Sequence, residues 1–228
     1  MMAKRALLTR ERLDGRVVDI EFVLIAVIQG LALTTLAVES EAVIGETKWL
    51  YWPYVFAGFI LIANFWTLAV THTLSFISWP FDAVHTVLYL FASFVEVTAF
   101  AQITHPAGWF IFMFVFFLVS AVLYVWDLRM IRERKPDFDD TPARRELYAH
   151  IHDHQTMELR LLPLALLFQG IVVAVIWLWP SLILEGNRHL YVVGLQIIGG
   201  LGFLVYTVRS FKARMQLMTK CIEEQPVP

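Results

Sequence analysis

Six stretches of this chain, at 19–38, 50–74, 83–104, 107–126, 161–180 and 190–208, are apolar almost throughout. Each has about the 20 residues that an α-helix needs to cross about 30 Å of hydrocarbon. Hydrocarbon offers backbone N–H and C=O groups no partner, so segments of this kind fold as helices that bond internally. The pattern predicts an all-α, polytopic integral membrane protein with six transmembrane helices. Composition agrees: 58% of the 228 residues are hydrophobic and the mean hydropathy is +0.64. An ordinary soluble domain is roughly 45–50% apolar. Short links join most of the stretches, so residues 19–208 read as one membrane domain between tails at 1–18 and 209–228.

The segment from Met1 to Arg16 is polar and basic, and the first apolar stretch is too long for a signal-peptide core and lacks a small-residue cleavage site. It reads as a retained helix. Of the 18 lysines and arginines, all but Lys48 and Arg188 fall in the N-terminal tail, the 127–160 loop or the C-terminal tail. In a six-span layout these three lie on one side, and the positive-inside rule makes that side the cytoplasm. The expected location is a bacterial inner membrane with both termini cytoplasmic. The basic rim suits anionic lipid headgroups; nothing calls for nucleic acid. Cys221 is the only cysteine, so no internal disulfide forms.

Aromatic residues mark the span ends: Trp49, Tyr51, Trp52, Tyr54, Trp109, Trp177 and Trp179 on the outer side, Trp79 and Trp126 on the inner. The fourth stretch, Phe110 to Trp126, is apolar on every side except at Ser120 and is expected to face lipid. Asp19, Ala26, Gly30 and Ala37 share one face of the first helix, and Gly194, Gly199, Gly200 and Gly202 lie in the sixth. Such small residues let membrane helices approach closely. In the 127–160 loop, Thr141 and Pro142 read as an N-cap and first helical position. A short cytoplasmic helix is expected between spans four and five, with a kink or restart at Pro163.

Against this apolar background the third stretch carries Asp82, His85, Tyr89, Ser93 and Glu96, spaced 3, 4, 4 and 3 residues apart. At 100° per residue they fall within an arc of about 80°. Glu96 stands near mid-membrane, where a carboxylate costs roughly 2.5–3.5 kcal/mol. The second helix carries Asn64, Thr67, Thr71 and Ser75 on one face over the same inner half. Gln29, Gln169 and Gln196 lie near the middle of three other spans, so five helices bring a strongly polar group to one depth. Convergence is cheaper than scattering, because each polar group needs a partner. Interhelical hydrogen bonding alone would account for the amides and threonines, but a carboxylate is a poor choice for packing. Asp82 and His85, with His72 nearby, form either a proton relay at the cytoplasmic mouth or the cap of the third helix, which Pro80 and Asp82 would start.

His150, His152 and His154 form a second cluster. His150, His154 and Glu158 share a helix face that could hold a divalent metal. The simpler reading is a solvated amphipathic helix with incidental histidines. There is no GxSxG, HExxH, CxxC or glycine-rich phosphate loop, and the histidines sit too near the boundaries for haem. No enzymatic activity and no cofactor are expected.

The layout resembles that of the prokaryotic six-helix potassium-permeable channels related to the lysosomal potassium/proton channel. Arg16 precedes the first helix, Asn64, Phe65 and Trp66 with His72 lie in the second, and Asp82 opens the third, over about the first 125 residues. The family's Phe-Ser-Asp triplet is absent; Val18, Asp19, Ile20 and Glu21 stand there, and no pore residue carries over. The resemblance implies an oligomeric cation channel. With the residue reading, the expectation is a homo-oligomer in the lipid bilayer conducting potassium or protons through a polar vestibule. Its pathway would use Asp82, His85, Tyr89, Ser93, Glu96, Asn64, Thr67 and Thr71. The alternative is a membrane-anchored signalling protein that binds a cytoplasmic protein through 127–160 and transports nothing.

Overall fold

A computed structural model describes residues 2–46, 48–75 and 82–224, with side chains at 18–46, 48–74 and 82–224. Trp79, Pro80, the Ser75 side chain and the basic side chains of the first 16 residues lie outside the described residues. The described chain is helical, without strands: α1 Met2–Gly45, α2 Trp52–Ser75, α3 Ala83–Phe100, α4 Pro106–Glu133, α5 Pro142–Leu178, the one-turn α6 Pro180–Leu184 and α7 His189–Glu223. All but α6 are long and apolar enough to cross a membrane, which points to an integral membrane protein. The six apolar stretches fall on these helices, yet α1, α4, α5 and α7 run well beyond them. The segment read as a polar tail is the start of α1.

Local chemistry explains the starts. Asp82, in extended conformation, accepts a hydrogen bond from the His85 backbone N–H at 2.7 Å and caps α3. Thr141 does the same for the Arg144 N–H, with Pro142 at the first helical position of α5. The expected short helix between spans four and five is not separate: it is the first half of α5, which continues through Pro163. Packing overrides the proline. Leu147 and Ile151 join Ile131, Leu217 and Met218 in one cluster, while Val172 and Ile176 belong to the main core. Pro163 itself faces outward, exposed beside buried Leu162.

The helices form a closed ring. α1 packs on α3, α3 on α4, α4 on α5, α5 on α7, α7 on α2, and α2 back on α1. The expectation that the fourth span faces lipid is overturned. Trp109, Phe110, Met113, Phe116, Val119, Ser120, Leu123 and Asp127 of α4 are buried, and only its opposite face, at Leu118, Val122 and Val125, is exposed. A helix that is apolar all round carries no signal for which face turns inward. The small-residue expectation holds at Gly200, where a Cβ would lie 2.8 Å from Ile60 Cγ2, but not at Gly30, Gly194, Gly199 or Gly202, which face open space.

Candidate functional site

The ring surrounds a cavity of about 700 Å³ that touches α1, α2, α3, α4, α5 and α7. Along α2 its wall runs from Ala57 to Thr73, a rise of about 24 Å and so most of the hydrocarbon thickness. Polar side chains are not spread evenly along it. Glu21, His72, Thr73, His85, Tyr124, Asp127, Glu158 and Tyr206 line the end at which α2 gives way to α3. Asn64, Ser120, Gln169 and Gln196 follow in the middle. At the other end stands a layer of fully buried rings and aliphatic groups: Tyr54, Phe100, Ile103, Trp109 and Phe110. Trp109 meets Tyr54 edge-on at 5.3 Å, so both rings, expected at the headgroups, instead plug the ring's interior.

The polar end is organised by Asp127. Its side chain is 3% exposed and reaches two histidines from different helices. His85 Nε2 of α3 lies 3.2 Å from Oδ1, and His72 Nδ1 of α2 lies 3.5 Å from Oδ2. Glu21 of α1 sits beside Thr73 and His85. Three helices thus meet through one carboxylate, with α1 joining through Glu21, and a buried carboxylate is tolerated only when partnered in this way. Asp82 acts on the His85 ring through its charge alone. It caps α3 and accepts a second hydrogen bond, from Trp126 Nε1 at 3.2 Å.

Glu158 of α5 lines the cavity on the other side, with His154 Nδ1 3.3 Å from its Oε1. Both are buried, as is Arg214 of α7, whose charge acts on Glu158. The ring of His154 stacks on Tyr206 at 4.8 Å. This overturns the solvated reading of the 150–158 face: His150 bonds Ser210 at 3.3 Å, and Gln155 donates to the Tyr124 carbonyl at 3.1 Å. Helix α7 extends past the membrane stretch and covers it. Among the described residues no three or more histidine, cysteine or acidic side chains are placed to share a metal, so His150, His154 and Glu158 do not converge as ligands.

The mid-membrane residues do not converge on one another, apart from Glu96 and Gln29. Glu96, fully buried on α3, takes Gln29 Nε2 of α1 at 3.5 Å and stands outside the cavity wall. Asn64 turns to α7 instead, donating to the Gly200 carbonyl at 3.0 Å and to Ile60 O at 2.9 Å. Gln196 accepts from Trp109 Nε1 at 3.1 Å. Gln169 is buried and lines the cavity, and its Oε1 has no hydrogen-bond partner among the described residues. Thr67, Thr71 and Ser93 bond back to carbonyls of their own helices. Tyr89 lines the cavity against Phe65 at 4.8 Å.

Of the residues at the polar end, the sequence singled out His72, His85, His154 and Glu158 but not Asp127 or Arg214. Asp127 follows directly on Trp126 and reads as the first residue of a loop; Arg214 reads as part of a basic tail. Only the continuation of α4 and α7 beyond the apolar stretches brings them inward. Being the first charge after an apolar span is the one signal Asp127 offers. No known protein family, curated protein or solved structure matches the chain.

Proposed function

We propose that this chain is a membrane transport protein that moves a small cation, the proton, through the interior of its helical ring. The observation that carries the reading is Asp127, a buried carboxylate held between His72 and His85 at the polar end of a cavity bordered by six helices. Carboxylate and imidazole together can accept, hold and pass a proton, and histidine does so near physiological pH. Ionisable groups kept inside membrane spans mark proton relays and ion pathways. Potassium fits less well, because replacing its hydration shell takes a ring of carbonyl oxygens, and the middle of this cavity offers isolated amides between apolar walls. The pathway lies within one chain, and Glu96, outside the wall, serves to hold α1 on α3 through Gln29. Passage requires the Tyr54–Phe100–Trp109 layer to part.

The test is proton flux into liposomes containing the purified protein, with potassium flux measured separately. Wild type should carry protons and no potassium. Asp127→Asn should lower proton flux by at least about tenfold, on the scale of losing a general acid–base group, while Glu96→Gln keeps it. Flux no greater than that of empty liposomes, or a wild-type rate from Asp127→Asn, would sink the reading.

A further inference from the structure

The cavity is much larger than a proton path needs. At about 700 Å³ it lies within the range of roughly 300–1,000 Å³ typical of small-molecule sites. Three features of its wall define what would fit. The first is the sign of charge. Its acidic side chains are Glu21, Asp127 and Glu158, with no lysine or arginine among the described residues that line it. Basic residues are abundant on the adjoining segments, and Arg214 comes near, yet none forms the wall. An anionic molecule would meet three carboxyl groups, and the only basic side chains on the wall among the described residues, His72 and His85, already face Asp127.

The second is the hydrogen-bonding state of the wall. Both protons of an amide can be spent while its oxygen stays free, and Asn64 does this: Nδ2 gives to Ile60 O and Gly200 O, leaving Oδ1 buried with no hydrogen-bond partner among the described residues. Two carbonyl acceptors fix that orientation of the amide. Oε1 of Gln169 and Oε2 of Glu158 are also buried and have no hydrogen-bond partner among the described residues. Both side chains line the cavity. Unfilled buried acceptors cost free energy until a donor or a positive charge arrives.

The third is the surface between these groups. Phe116, Tyr124, Phe168, Phe203 and Tyr206 present rings to the space. Aromatic faces attract cations, and the attraction grows when water is excluded. Acidic groups, free acceptors and aromatic walls in one apolar chamber are the complement of a bulky apolar body with a single positive charge.

We propose that the cavity is a binding site for a lipophilic organic cation, with the positive centre between Asp127 and Glu158 and the apolar body against the rings towards mid-membrane. The site stands on the wall chemistry and does not require that protons move. It is tested at equilibrium, with no gradient applied.

The full-length protein is placed in nanodiscs of uncharged phosphatidylcholine, and radiolabelled tetraphenylphosphonium is titrated by equilibrium dialysis against empty discs. Saturable binding of about one cation per chain is expected. Dodecylammonium should displace the probe at a concentration on the order of tenfold below that needed with dodecanoate, which has the same chain and the opposite charge. Glu158→Gln should weaken binding by about tenfold, and Phe168→Ala by severalfold. Binding no greater than that of empty discs overturns the proposal. So does equal displacement by dodecylammonium and dodecanoate, which would mean that the cavity selects a chain and not a charge. The wild-type displacement series decides the matter even where a substitution prevents folding. Cation binding without proton flux would retain this site and remove the transport reading; proton flux without binding would do the reverse.

Discussion

The two ends of the helical ring close in opposite ways. At the end carrying Trp109, closure is by shape: Tyr54, Phe100, Ile103, Trp109 and Phe110 fill the interior with no exposed surface. A side-chain bond at that layer joins Tyr54 OH to His189 Nδ1 at 2.9 Å. At the other end, closure is by charge: His72, His85 and Asp127 meet on one wall, and His154, Glu158 and Arg214 cluster on the other. Dispersion packing is short-ranged and tolerates little displacement. Charge pairs keep attracting over several ångströms in a medium of low dielectric constant. One end is therefore held by contact and the other by field. They should fail differently when cut.

The largest effect is expected at the packed end. Trp109→Ala removes a fully buried ring and should cost about 3–5 kcal/mol, read as an earlier thermal unfolding transition in detergent. Trp177→Ala, at a ring 83% exposed, should leave the transition within error. Equal shifts from the two would erase the distinction between plug and lipid-facing surface. Arg214→Met addresses the charged end and leaves Glu158 without the buried cation that acts on it. A loss of about 3 kcal/mol is expected, because a buried carboxyl group keeps its desolvation cost without the neighbouring cation. Because the damage is an uncompensated charge, adding Glu158→Gln should recover much of it, whereas no second substitution of that kind can refill Trp109. A double variant no more stable than Arg214→Met alone would show that field does not hold this end.

Smaller effects sharpen the picture around the ring. Gly200→Ala places a methyl group against Ile60 and should cost about 1–3 kcal/mol as overpacking. Gly30→Ala meets open space and should raise stability by up to about 1 kcal/mol through helix propensity. The same sign for both would mean that α1 and α7 do not differ in how closely they are approached. Smallest of all, Tyr54→Phe keeps the ring and deletes its bond to His189, for a loss of about 1 kcal/mol. A much larger loss would mean that the packed end also depends on polar contacts.

The sequence carried more of the scaffold than of the site. Apolar runs of spanning length have one stable solution in lipid, so the six helices were legible, and so were the caps at Asp82 and Thr141. Ring order was not, because α4 shows the same apolar surface in every direction. Site residues became legible where they broke an apolar pattern. His72 and His85 did so; Asp127 and Arg214 sit just beyond their apolar stretches and look like solvated ends. Glu96 shows the limit from the other side: it broke the pattern most strongly of all, and its bond to Gln29 lies outside the cavity. The expected vestibule of two polar helix faces gave way to a chamber with six walls, because Asn64 turns to Gly200 of α7, a pairing that no local spacing encodes.

Pro163 gives α5 a mechanical property. Its missing N–H leaves the Leu159 carbonyl without a helical donor, so α5 is least stiff at that turn. Glu158 lies on one side of the turn and Gln169 on the other, and both face the cavity. A helix of 37 residues is about 55 Å long, and more than half of it precedes the proline. The wall is thus a jointed rod rather than a single strut. A small tilt of the part that begins at Thr141 carries Glu158 with it and leaves Gln169 in place, changing the separation between the acidic and amide groups without opening the ring.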